Sequence, residues 1–204
     1  MSKTKLLIIV LIVFILGDLT YSFLEYYYIP LDGDISAGVV PSGDVQKVLD
    51  DPFGFHLLAS GEKHVNPNRF FAHFTFKEYM QRVPLWLQSW TDPITSVYFS
   101  CALAKFVIHF LVIFILATLI AGTKNMLNKN FLIVATLLIP LIQANGYWGH
   151  MGIVDKSTTY TFFYALPLVL LMLFLMPFYR FLVENEKSKI NIFKHCKPTK
   201  IQSR

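Results

Sequence analysis

Residues 6–28 read LLIIVLIVFILGDLTYSFLEYYY. Positions 6–16 are wholly apolar, and Asp18 and Glu25 then enter before the run reaches the roughly 20 residues a crossing helix needs. Acids are costly inside a bilayer and turn toward a partner or water. Three adjacent tyrosines, Tyr26 to Tyr28, close the run as an interfacial aromatic belt does. Positions 6–16 also suit a signal-peptide core, with Thr20-Tyr21-Ser22 as a faint cleavage site. The return of apolar character beyond Ser22 favours an uncleaved anchor over 1–28.

The rest of the chain agrees. Of its 204 residues 54% are hydrophobic and only 15% charged, against about 25% charged in soluble domains. Mean hydropathy is +0.50, and the apolar residues cluster instead of forming the stripe of a surface helix. The fold class is therefore an all-α integral membrane protein with four transmembrane helices. The spans fall at 1–28, 94–122, 131–147 and 158–182. A segment at 29–93 joins the first two, 123–130 and 148–157 are short connections, and 183–204 is a basic tail. Within 29–93, Gly and Pro early on argue against regular structure, though residues 44–49 suit a short helix with Ser42 as cap. Residues 69–90 alternate aromatics with Arg69, His73, Lys77 and Arg82, the pattern of an amphipathic helix lying in the interface and broken near Pro84.

Charge sets the orientation. Lys3, Lys5, Lys124, Lys129, Arg180 and the basic residues of 187–204 fall on one side of this topology. The other side carries fewer, on much more chain. The first side is cytoplasmic, both termini lie inside, and a connection of about 65 residues, long by ordinary standards, is external. The localisation is the cell (inner/plasma) membrane, multi-pass. The net charge of +5 is a topology signal and does not indicate nucleic-acid binding. Cys101 and Cys196 are too far apart in this topology to pair, and no Cys/His cluster points to a metal or other cofactor.

Depth, reckoned at about 1.5 Å per residue from the cytoplasmic end, brings the polar residues level. Asp18 lies at about 18 Å, His109 at about 20 Å, Lys105 at about 25 Å and Glu25 at about 28 Å. Gln143, Asn145 and Tyr164 fall at about 18, 21 and 28 Å. These seven form a polar slab in the outer half of the bilayer, a candidate ligand- or ion-binding layer. Asp18 and Glu25 share one helix face, as do Lys105 and His109, so Asp18 is expected beside His109, with Lys105 between the two acids. Such contacts also serve simply to hold helices together.

Outside the slab, Asp32-Gly33-Asp34 sits just beyond the tyrosine belt. Two carboxylates so placed can act as base and electrostatic support. A spanning helix, an external segment with acids near its start and then an interfacial helix: this layout resembles the beginning of polyprenyl-phosphate-dependent integral-membrane glycosyltransferases. The resemblance implies an acid of the first external loop, Asp32 or Asp34, as catalytic base. Those enzymes have many more spans than four. The leading expectation is a non-enzymatic accessory or small transport-related component whose partners are the lipid bilayer, other membrane subunits or a lipid-linked or anionic ligand. The alternative is the sugar transferase.

Overall fold

The computed structural model describes residues 2–51, 53–63, 70–142, 154 and 156–195, with the backbone alone for 184–195. All regular structure among the described residues is helical. Three helices are long and apolar enough to cross a membrane, Lys3–Tyr28, Pro93–Ala121 and Thr158–Val183, which marks a multi-pass membrane protein. The chain divides into two units, Met1–Val169 and Leu170–Arg204.

In the first unit, α1 (Lys3–Tyr28) starts at Ser2, whose hydroxyl accepts from the Lys5 N–H at 3.3 Å. It stops where Ile29 turns extended, as expected of a residue before Pro30. Four helices follow before the next long one: α2 (Asp34–Val39), α3 (Gly43–Asp50), α4 (Phe55–Ser60) and α5 (Phe70–Leu87). The helix expected at 44–49 is thus α3, although the Ser42 side chain makes no capping hydrogen bond. Helix α6 (Pro93–Ala121) has Asp92 as N-cap, accepting from Ile94 N–H at 2.9 Å and Thr95 N–H at 3.0 Å, with Pro93 in the first turn where its missing N–H costs nothing. It ends at Gly122, whose φ of +66° is open to glycine without strain.

Asn128 caps α7 (Lys129–Ile142) through the Asn130 and Phe131 amides. At 14 residues α7 is too short to cross alone, and the rest of the span expected at 131–147 lies outside the described residues. Helix α8 (Thr158–Tyr160) leads through a π-helical turn at Thr161–Ala165 into α9 (Leu166–His195). The wide turn ends two residues before Pro167, whose ring would crowd the carbonyl four residues back and which has no N–H to offer it.

Helix α6 is central: α1, α5 and α7 all pack on it. Helix α5 does more than display aromatics. It packs against α2 and α6, and its Phe76 and Met80 join Cys101, Ala104 and Phe162 in one apolar cluster. The Tyr79 hydroxyl donates to the Ser100 carbonyl at 2.8 Å, and Gln81 Nε2 to the Val39 carbonyl at 2.8 Å. Burial raises the Tyr79 phenol above its ordinary value, which keeps it a donor. The opposite face leaves Phe71, Phe74, Leu85 and Trp86 exposed. The break expected near Pro84 is absent: the helix runs through to Leu87, and the Pro84 carbonyl accepts from Gln88. A proline forfeits one donor but leaves its own carbonyl available to the turn that follows.

The second unit holds the remainder of α9. Leu170, Leu171, Phe174, Phe178 and Phe181 are all exposed there. The helix continues past the expected end at 182 to His195, so helical backbone extends into the basic tail.

Candidate functional site

Three polar centres lie in the first unit. The first ties the residues after α1 to the start of α8. Asp32, half-buried, accepts from the Thr158 N–H at 2.7 Å, the Thr159 N–H at 3.3 Å and the Thr159 hydroxyl at 2.8 Å. These amides have no partner within their own helix, and a carboxylate there also faces the positive end of the helix dipole. Ser157 adds a local cap, accepting from the Tyr160 N–H at 3.1 Å. From α6, the fully buried Lys105 donates to the main-chain carbonyl of Lys156. One turn away, Cys101 is buried and lies within interaction range of Thr158, Lys105 and Asp32. Cys101 and Lys105 share a face of α6, four residues apart. Three chain segments thus converge on one junction.

The second centre joins α1 to α6. Tyr26 Oη and His109 Nδ1 share a hydrogen bond of 2.9 Å, with both side chains buried. Asp18 is within electrostatic range of the Tyr26 hydroxyl, and Ser22, one turn before Tyr26, is fully buried. His109 Nε2 has no hydrogen-bond partner among the described residues.

The third is a cavity of about 370 Å³ between α2, α5 and the start of the α8 helical run, with Asp34, Gly38, Phe70, His73, Tyr160 and Tyr164 among its walls. His73 Nε2 donates to the Gly38 carbonyl at 3.0 Å. Gly38 is buried, and a Cβ there would lie 2.3 Å from Phe76 Cε1, so its lack of a side chain lets α2 lie directly on α5.

Lys105 and His109 are both buried, and Asp18 lies within electrostatic range of Tyr26, the hydrogen-bond partner of His109. His109 hydrogen-bonds with Tyr26, and Lys105 donates to the main-chain carbonyl of Lys156. Glu25 is half-buried on α1. Tyr164 is exposed and belongs to the cavity. Gln143 and Asn145 lie outside the described residues. Asp32 and Asp34, adjacent in sequence but for one glycine, go to different centres. The sequence places Tyr26 in the aromatic belt, Cys101 in a span and His73 on the interfacial helix, and marks none of them, nor Thr158 or Thr159, as a site residue. The run Ser157-Thr158-Thr159 before an apolar stretch is a helix-start signal that would have marked the junction. Among the described residues, no three His, Cys, Asp or Glu side chains are grouped closely enough to hold a metal.

The sequence matches no protein-family model, no curated protein and no solved structure. The likeness to membrane glycosyltransferases therefore rests on layout and on Asp32-Gly33-Asp34 alone.

Proposed function

We propose that the chain is a four-span protein of the cell (inner/plasma) membrane, a four-helix bundle with both termini cytoplasmic, acting as a non-enzymatic accessory or small transport-related component. In this reading α7 and the residues after it make the third crossing. Residues 29–92 form an external cap, with the exposed aromatic face of α5 at the interface. The polar slab is the framework that joins cap and spans.

One observation carries the reading: both carboxylate oxygens of Asp32 are occupied by the start of α8. A base that must collect a proton from substrate needs a free oxygen within reach of it. A group bonded to two amides and a hydroxyl in its own fold serves instead as a cap.

The transferase alternative is favoured by one observation, Asp34, which is exposed at the cavity with His73 across from it. Against it, the described lining of that cavity includes no lysine or arginine to meet a lipid phosphate.

Two variants separate these readings. Asp32→Ala leaves two α8 amides and a hydroxyl unmet, and is expected to cost about 1–3 kcal/mol per buried donor left unsatisfied. The amount of monodisperse protein extracted in detergent should fall accordingly. Asp34→Asn should leave that amount unchanged. If purified wild-type chain transfers a labelled sugar from a polyprenyl-phosphate donor, and Asp34→Asn abolishes the transfer with the fold intact, the accessory reading is wrong.

A further inference from the structure

The cavity of about 370 Å³ has a chemistry of its own, and its size falls in the roughly 300–1,000 Å³ range of small-molecule sites. Its walls include Asp34 from α2, Phe70 and His73 from α5, and Tyr160, Phe163 and Tyr164 from the helical run that starts at Thr158. Tyr160 and Tyr164 meet edge to face, with centroids 5.6 Å apart and planes at 81°, and each is about half exposed (47% and 56%). The edge of one ring thus rests on the other, and the rest of both ring surfaces is open to the cavity and solvent. Phe163 lies farther in, 6.0 Å from the His73 ring. His73 Nε2 donates a hydrogen bond to the Gly38 carbonyl, so that nitrogen is already engaged within the protein.

The charge of the lining selects the ligand. Aromatic faces carry the negative part of the ring quadrupole, and Asp34 adds a full negative charge. No lysine or arginine is among the described lining residues, so these walls offer a phosphate or carboxylate no fixed positive charge, and Asp34 repels it. A divalent metal would find one carboxylate where it needs several oxygen ligands. A soft organic cation satisfies every wall at once: its alkyl groups contact the rings, its charge faces the π surfaces, and Asp34 neutralises it. We infer that this cavity binds an alkylammonium group, primary or quaternary, against the cavity-facing surface of Tyr160 and Tyr164 with Asp34 as counter-ion. The group can belong to a lipid headgroup or to a free amine. The inference does not depend on the role of Asp32 or on the absence of catalysis.

The experiment uses the full chain in a sugar-based detergent that contains no ammonium. Calorimetric titration with tetramethylammonium chloride and with choline chloride, against sodium chloride at equal ionic strength, reads the free-cation arm. Native mass spectrometry after exposure to vesicles of phosphatidylcholine or phosphatidylglycerol reads the lipid arm. Asp34→Asn and Tyr164→Leu should each weaken cation binding, or the retention of phosphatidylcholine, by about tenfold, while Tyr164→Phe keeps it within about twofold because the ring face remains. Cation binding without lipid preference assigns the site to a free amine, and retention of phosphatidylcholine without cation binding assigns it to a headgroup. Both altered side chains are exposed, and an unchanged elution volume confirms the fold. Should Asp34→Asn aggregate, the paired variants Tyr160→Leu and Tyr164→Leu decide the matter. Preference for phosphatidylglycerol, or binding that none of these variants weakens, or no binding in either arm, overturns the inference.

Discussion

Helices α1 and α6 are equally hydropathic over their most apolar 18 residues, yet 50% of that window is buried in α6 and only 11% in α1. Hydropathy alone does not tell a helix that meets protein from one that meets lipid. Side-chain size and polarity do. Ser96, Ser100, Cys101, Ala102 and Ala104 are buried along α6, and small residues let neighbouring backbones approach where the hydrophobic effect offers no drive between helices. Helix α1 instead leaves Leu6, Val10, Val13, Phe14 and Leu16 exposed, and along it only Ser22 and Tyr26 are fully buried. The contrast is between a central helix enclosed by several neighbours and one that packs on α6 and α7 along a single face.

The largest effect should come from cutting into the central helix. Lys105 is 2% exposed and holds the Lys156 carbonyl. Lys105→Ala should destabilise by about 2–5 kcal/mol, the range for truncating a long buried side chain, because it leaves both a cavity and an unmet carbonyl. Leu16→Ala, on the exposed face of α1, should change stability by no more than about 0.5 kcal/mol. Unfolding midpoints in detergent measure both. If the two variants cost the same, the exposed face of α1 is an interface and the contrast fails.

A smaller effect tests the contrast at the level of single glycines. At Gly38 a methyl would collide with Phe76, which is itself fully buried and cannot retreat. Gly38→Ala should cost about 1–3 kcal/mol by overpacking. Gly33, five residues earlier, has nothing within 4 Å of an added Cβ and helical backbone angles. Gly33→Ala should stay within about 0.5 kcal/mol of the parent. Equal costs at the two positions would mean that α2 does not lie on α5 as described.

These effects also show which layer of the fold was legible in advance. Helical class and long apolar helices follow from local composition, and every residue of such a run carries the signal. The inward turn of Lys105 and His109 follows from the cost of leaving polar groups in lipid. Their partners were harder to read. Lys105 bonds to a main-chain carbonyl, a group that every residue carries and no sequence pattern marks. His109 bonds to one of three consecutive tyrosines, and belt and partner look alike until the helix is rotated into place. Asp32 reaches across 126 residues to Thr158, a pairing that neither periodicity nor spacing encodes. The cavity combines α2, α5 and the α8 run, so its lining residues acquire meaning only once the helices between α1 and α6 are folded over the start of α8.

The smallest expected effect concerns how the central helix begins. Asp92 is held below the usual aspartate range, first by the Thr95 hydroxyl and then by the Thr95 and Ile94 amides. A carboxyl whose folded value is depressed adds stability above its unfolded value, about 3.9, and loses it as the pH drops through the lower folded value. Asn caps a helix about as well as Asp but does not titrate here, so Asp92→Asn isolates the contribution of the charge. The parent should therefore unfold at a slightly higher temperature than Asp92→Asn at pH 6, and the gap should close as the pH falls below about 4. Because the group is fully exposed, salt should narrow the gap at pH 6 as well. A gap that stays constant from pH 6 to pH 2.5 would show that the variant differs in the shape of its cap and not in its charge, and the start of α6 would then owe nothing to the ionised carboxylate.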